Sequence, residues 1–291
     1  MSFFVRFSFL GLLFLIASCH QAIPVPPPQS FPPQYTSLGR DLVHGLAACG
    51  FCHGSRPEPG VVLSGGIPLR DTYGSVIAPN ITPSNSGIRG WNVQEIADAV
   101  RASLAPDGRS LASEHHQGYQ WMSDDDVYRI VAYLQTQPPV ETSYETREIG
   151  FIDRYTSGIL EQRKEVDGVV PSLEGTAAPI YGQYLVEHVA RCDQCHSTPG
   201  DFIAEEKYLQ GGREISRAGE IRVAPNITGS KVYGLGSWSI PEIVRYLQTG
   251  QVPGNRRTDP RFCPTQFYAR AKESDLSAIA VYLLSTETSP S

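Results

Sequence analysis

The pentapeptide C-x-x-C-H occurs twice in this chain, as Cys49-Gly50-Phe51-Cys52-His53 and Cys192-Asp193-Gln194-Cys195-His196. Each copy heads the same succession of short blocks. "LVHGLAACGFCHG" (42–54) returns as "LVEHVARCDQCHS" (185–197), and "LSGG" (63–66) returns as "LQGG" (209–212). "IAPNIT" (77–82) returns as "VAPNIT" (223–228), and "GIRGWNVQEI" (87–96) as "GLGSWSIPEI" (234–243). "SDDDVYRIVAYL" (123–134) returns as "ESDLSAIAVYL" (273–283). Five blocks in one order mark an internal duplication. The expected organisation is two similar units, residues 35–140 and 176–291, joined by a charged connector at 141–175.

Local patterning makes each unit helical. Leu38, Leu42 and Leu46 recur at helical spacing and predict one apolar face. Asn92 with Glu95 and Ser239 with Glu242 have the spacing of capping boxes, and Pro241 suits a first helical turn. Ser123 and Asp126 repeat the device before the last helix of the first unit. The connections are long and rich in Gly, Pro and Asn. Short helices on long loops bury little, so something else must fill each core.

The twin pentapeptides supply it. Their spacing is the signature of covalent c-type haem attachment. On a helix, residues i, i+3 and i+4 share one face. Two thiols then reach the haem vinyl groups while the imidazole reaches iron as an axial ligand. A closed zinc site needs four protein ligands, and a thioredoxin-type dithiol needs a βαβ context that the sequence lacks. Two covalent haem c groups follow, held by Cys49, Cys52, Cys192 and Cys195, with His53 and His196 on iron.

With these blocks the chain resembles the dihaem cytochrome c family that includes the cytochrome subunits of membrane-bound alcohol and gluconate dehydrogenases. The marks beyond C-x-x-C-H are "APNIT", "G-x-x-G-W-x-x-x-E-I" and a last helix of the form "M-S-x-x-D…AYL". The resemblance implies a mainly α fold of two tandem class-I-like cytochrome c domains, relaying electrons between a dehydrogenase or other donor and a respiratory acceptor. It also implies that the loops bearing Asn80 and Asn226 pack against haem. Trp91 and Trp238 have two readings, as core aromatics beside haem or as indole donors to a haem propionate.

The distal ligands depart from that family. Its members usually place an axial methionine, in a "M-P" pair, eight residues before the position of Met122. Here the methionines are Met1 and Met122 alone, and Met1 leaves with the leader. Aligning the last helices through Asp126 and Asp275 puts Cys263, followed by Pro264, where the second methionine would stand. Cys263 is therefore the expected distal ligand of the second haem, with a buried unligated thiol as the plain alternative. The same count in the first unit lands on Glu114, a poor ligand, directly before His115 and His116. His115 is the first choice there, His116 the second and Met122 the third.

The ends place the protein. Arg6 followed by an apolar run from Phe7 to Ala17 reads as a signal peptide (1–18). "IASC" resembles a bacterial lipobox, with Cys19 as the lipidated residue. A proline-dense stretch (19–34) would then hold the folded part off the membrane. The expectation is an exported protein on the periplasmic side of a bacterial membrane, held there by a lipid anchor. A net charge of −6 without a basic run argues against nucleic acid as a partner. The leading function is single-electron transfer. The competing one is a haem enzyme oxidising a sulfur compound, like thiosulfate dehydrogenases, at a His/Cys-ligated haem, with Arg256, Arg257, Arg261 and Arg270 near Cys263 to attract an anion.

Overall fold

A computed structural model describes residues 27–71, 73–109, 111, 113–145, 147, 166, 168–200, 206–254 and 256–286. The expected leader and Cys19 lie outside the described residues, as does most of the 141–175 connector. No helix among the described residues is long and apolar enough to cross a membrane.

The fold is mainly α, and its elements repeat in order. The first half runs α1 (Gln34–Val43), α2 (Gly50–His53), hairpin β1 (Pro68–Asp71) with β2 (Gly74–Ile77), α3 (Val93–Arg101) and α4 (Asp124–Leu134). The second runs α5 (Ala178–Tyr184), which continues into a wider π turn at Leu185–Val189, then α6 (Asp193–His196). Hairpin β3 (Glu214–Arg217) with β4 (Glu220–Val223) follows, then α7 (Ile240–Thr249), a two-residue ladder of β5 (Gln251–Val252) with β6 (Arg256–Arg257), α8 (Thr265–Tyr268) and α9 (Glu273–Ser285). The hairpins are absent from the sequence expectation. In β3–β4 the signal is Ala218-Gly219, both at positive φ (48° and 80°), which is the turn that a tight hairpin needs.

Both expected capping boxes form: Asn92 and Ser239 each accept from the amide of the residue three on, and Glu95 and Glu242 reach back. Such a cap contributes about 1 kcal/mol. Ser123 caps α4 in the same way, but Asp126 turns elsewhere. It accepts from Arg129 at 2.8 Å and from the Tyr184 hydroxyl, on the other half, at 2.6 Å.

The buried stripe of α1 is Gly39 and Val43 rather than Leu38 and Leu42. Gly39 is what permits it, because a Cβ there would collide with the Arg129 carbonyl of α4. Gly182 holds the same place on α5, against the Ala278 carbonyl of α9. First and last helices thus cross at backbone contact in each half. Leu38 and Leu42 are half-buried and line a crevice shared with Tyr181, Leu185 and Ala271 of the second half. One continuous apolar cluster runs from Val43 and Leu46 through Val127 and Val131 to Leu185, Phe267 and Ile279.

Candidate functional site

The two pentapeptides have the same backbone. Ala48 and Arg191, each just before a first cysteine, are left-handed (φ 45° and 51°). That kink starts a single helical turn in which the amide of His53 bonds to the Cys49 carbonyl (2.8 Å) and that of His196 to the Cys192 carbonyl (2.9 Å). The two cysteines and the histidine of each motif therefore share a face. The thiols of Cys49, Cys52, Cys192 and Cys195 are unpaired and half-buried. Burial pushes Cys49 up to about 12 and raises Cys192 and Cys195 as well.

Each motif histidine is fixed from behind. His53 Nδ1 lies 2.9 Å from the Pro79 carbonyl, and His196 Nδ1 lies 2.7 Å from the Pro225 carbonyl. A carbonyl only accepts, so Nδ1 carries the proton and Nε2 presents its lone pair. Burial lowers both imidazoles below the ordinary range, which keeps them neutral. The prolines belong to the repeated "APN" block, whose role here is to set the ring.

Asn80 and Asn226 hold those loops. Asn80 Oδ1 accepts from the Thr82 amide (2.8 Å) and hydroxyl (2.7 Å), and its amide donates to Ser84, Ser86 and the Val140 carbonyl. Asn226 repeats the bonds to Thr228. Asn80 thus ties its loop together and to Val140. Gly65 and Gly211 (φ 74° and 75°) let the "GG" strands pass against the same loops, where a Cβ would meet the Ala78 and Ala224 carbonyls at 2.5 Å. Trp91 and Trp238 both pack, half-buried, on the core, and Trp238 meets Tyr246 edge-on at 5.9 Å.

In the first half His116 is the imidazole opposite His53. Their ring centroids are 6.2 Å apart. Two imidazole nitrogens each about 2 Å from one metal place their ring centres roughly 6 Å apart. His116 Nδ1 lies 2.9 Å from the Ala99 carbonyl, so its Nε2 is free as well. Burial, then the neighbouring His53, lowers it to about 3. His115 sits beside it with a buried, partnerless Nε2, within electrostatic reach of Asp71 and Arg217. Met122 is wholly buried in the apolar core. His188 is spent on the Gly118 carbonyl (3.0 Å).

In the second half Cys263 stands near Cys192 and Cys195. Burial pushes its thiol up to about 11, opposed by a hydrogen bond from the Tyr246 hydroxyl. Two of the four arginines expected around it are engaged elsewhere. Arg261 pairs with Asp259 (2.6 Å) and Glu220 (2.8 Å), and Arg257 donates to the Thr249 carbonyl.

These residues fit a covalently held haem. Among the described residues no three His, Cys, Asp or Glu side chains gather as a metal cage, whereas a haem iron asks the protein for only one or two ligands. The free thiols, the anchored imidazoles with exposed lone pairs and the orphaned polar atoms around them meet that demand twice. Sequence reasoning missed Pro79, Pro225, Tyr246 and Arg191. The prolines alone carried a signal, inside a repeated block.

No family model matches the chain. It is 30% identical over 261 residues to the fructose dehydrogenase cytochrome subunit of Gluconobacter japonicus, covering 86% of this chain and 52% of that one. It is 29% identical over 275 residues to a diheme cytochrome c-type protein of Cereibacter sphaeroides, covering 88% and 90%. It is 26% identical over 254 residues to the gluconate 2-dehydrogenase cytochrome c subunit of Pantoea cypripedii, covering 81% and 56%. The chain therefore spans about half the length of these dehydrogenase subunits and nearly all of the diheme protein.

Proposed function

This chain is a relative of dehydrogenase cytochrome c subunits and of a diheme c-type cytochrome, and from that premise we propose that it is a dihaem electron carrier. It takes single electrons from a dehydrogenase or other donor protein and passes them to a respiratory acceptor. Its halves, 35–140 and 176–291, are two cytochrome c domains. Cys19 carries a lipid that keeps the exported protein at the periplasmic face of a membrane.

Haem, when bound, supplies the one-electron change of its iron. The chain's own residues do the rest. Cys49 with Cys52, and Cys192 with Cys195, fasten the groups as thioethers. His53 and His196, oriented by Pro79 and Pro225, would ligate the iron of each group. His116 would supply the second iron ligand in the first half and Cys263 in the second. A thiolate donates more charge than an imidazole, which would set the second site at the lower reduction potential. The observation that carries this reading is the twice-built histidine, held at Nδ1 by a proline carbonyl and open at Nε2.

The test is maturation of the whole chain in a host that attaches haem c. Two haems per chain by mass and haemochrome absorbance, with two one-electron steps in a redox titration, are expected. One haem or none sinks the reading. Rapid reduction by thiosulfate would turn it toward the sulfur-oxidising enzyme.

A further inference from the structure

Arg191 enters the second motif but serves the first site. Its counterpart in the first half is Ala48, at the same left-handed turn, so the backbone kink itself does not need an arginine. From that turn the side chain crosses to the other half. Nη1 donates to the carbonyls of His115 (2.5 Å) and Gln117 (3.3 Å). The guanidinium carbon lies 3.9 Å above the Tyr119 ring. Gly118 (φ 97°) makes room, since a Cβ there would sit 2.6 Å from the Glu187 carbonyl and 3.3 Å from Arg191 Cγ and Cδ.

The cation is incompletely satisfied. Its Nε is buried and has no partner. Among the described residues no carboxylate forms an ion pair with it, and Asp193, two residues on, attracts it only at longer range. Arginine stays charged in proteins. Taking such a charge out of water costs several kcal/mol unless an anion meets it. Its field is felt across the first site, where it disfavours protonation of His53 and His116 and favours the Cys49 thiolate, and it reaches more weakly to Cys195 of the second, where burial, Arg217 and Arg213 act first.

Resting on the haem reading above, we propose that Arg191 receives a carboxylate arm of the haem held by Cys49 and Cys52. The segment that introduces the second motif thereby clamps the first site, and the two halves are coupled by charge. Arginine suits the task because its planar edge grips a carboxylate with two parallel hydrogen bonds. In the clamped state the carboxylate stays ionised and neutralised. Without the clamp its uncompensated charge opposes electron uptake at the first iron.

The experiment compares the whole, haem-loaded chain with Arg191→Gln and Arg191→Lys by potentiometric titration from pH 5 to pH 8, each haem followed by its own EPR signal. Haem stoichiometry is measured first and judges the underlying reading separately. In Arg191→Gln the reduction equilibrium of the first haem should fall at least tenfold, which is 59 mV for one electron. Its potential should become pH-dependent as the released carboxylate takes up a proton, while the second haem moves much less. Arg191→Lys keeps the charge without the two-pronged grip and should recover part of the fall. A fully loaded Gln variant with unchanged potentials overturns the proposal, and so does an equal shift of both haems. If the Gln variant fails to load, the Lys variant decides: a first-haem potential identical to wild type, and equally flat in pH, overturns the clamp.

Discussion

His53 and His116 face each other with ring centroids 6.2 Å apart and planes inclined by 59°, each tied at Nδ1 to a backbone carbonyl. The pair is separated by 63 positions (53 to 116) in the chain and is assembled by the Pro79 loop on one side and the end of α3 on the other. Its spacing matches what a single metal ion between two imidazoles requires.

His116→Ala should therefore convert the first haem from low-spin to high-spin, seen as a new high-spin EPR signal and a shifted Soret band. His115→Ala should leave the low-spin signal in place. The reverse pattern would return the ligand to His115.

Cys263→Ala should abolish one of two low-spin signals, the one with the narrow spread of thiolate ligation, and should raise the potential of the remaining species. Tyr246→Phe removes the hydrogen bond to that sulfur and leaves it a stronger donor, so the second potential should fall. EPR spectra indifferent to both substitutions would make Cys263 a structural thiol.

Gly39→Ala and Gly182→Ala each force a methyl against a carbonyl in a helix crossing, Arg129 in one half and Ala278 in the other. Each should cost about 1–3 kcal/mol, the range for overpacking a close-fitted core, and lower the melting temperature of the loaded protein. A melting temperature equal to wild type would show that the helices separate at no cost.

His44 is buried, accepts from the Gly60 amide at Nδ1 (3.0 Å) and so donates from Nε2 to the Tyr133 hydroxyl (2.7 Å). Burial, then Arg270 and Arg40, lowers its pKa below the ordinary 6.5. The unfolded chain binds a proton near pH 6.5 that the native chain does not, so stability is lost as pH falls below about 6.5, by at most about 1.4 kcal/mol per pH unit. Denaturant titrations between pH 7.5 and pH 5 should show a steeper acid loss in wild type than in His44→Phe. Parallel curves would remove His44 from the acid response.

The C-x-x-C-H residues were legible because they are local. Cys49, Cys52 and His53 lie within one helical turn, so their spacing dictates a shared face before any tertiary contact exists. The capping boxes at Asn92 and Ser239 were legible for the same reason. The Leu38–Leu42–Leu46 face is borne out at Leu46, which is buried, and at Leu42, which packs on the core, but it missed Gly39, because periodicity counts apolar side chains while close helix crossings select glycine.

The sequence by itself determined the duplication, the mainly helical elements, the two C-x-x-C-H turns and the short set of candidate distal residues. Tertiary structure decided which of those candidates meets a motif, since His53 and His116 are brought together by loop closure over dozens of residues. It also decided that Pro79 and Pro225 aim the imidazoles and that Arg191 of one half reaches into the other. Hydrogen bonds to backbone carbonyls and the reach of a buried cation leave no pattern in spacing, because any residue supplies the carbonyl and only the folded chain fixes its distance.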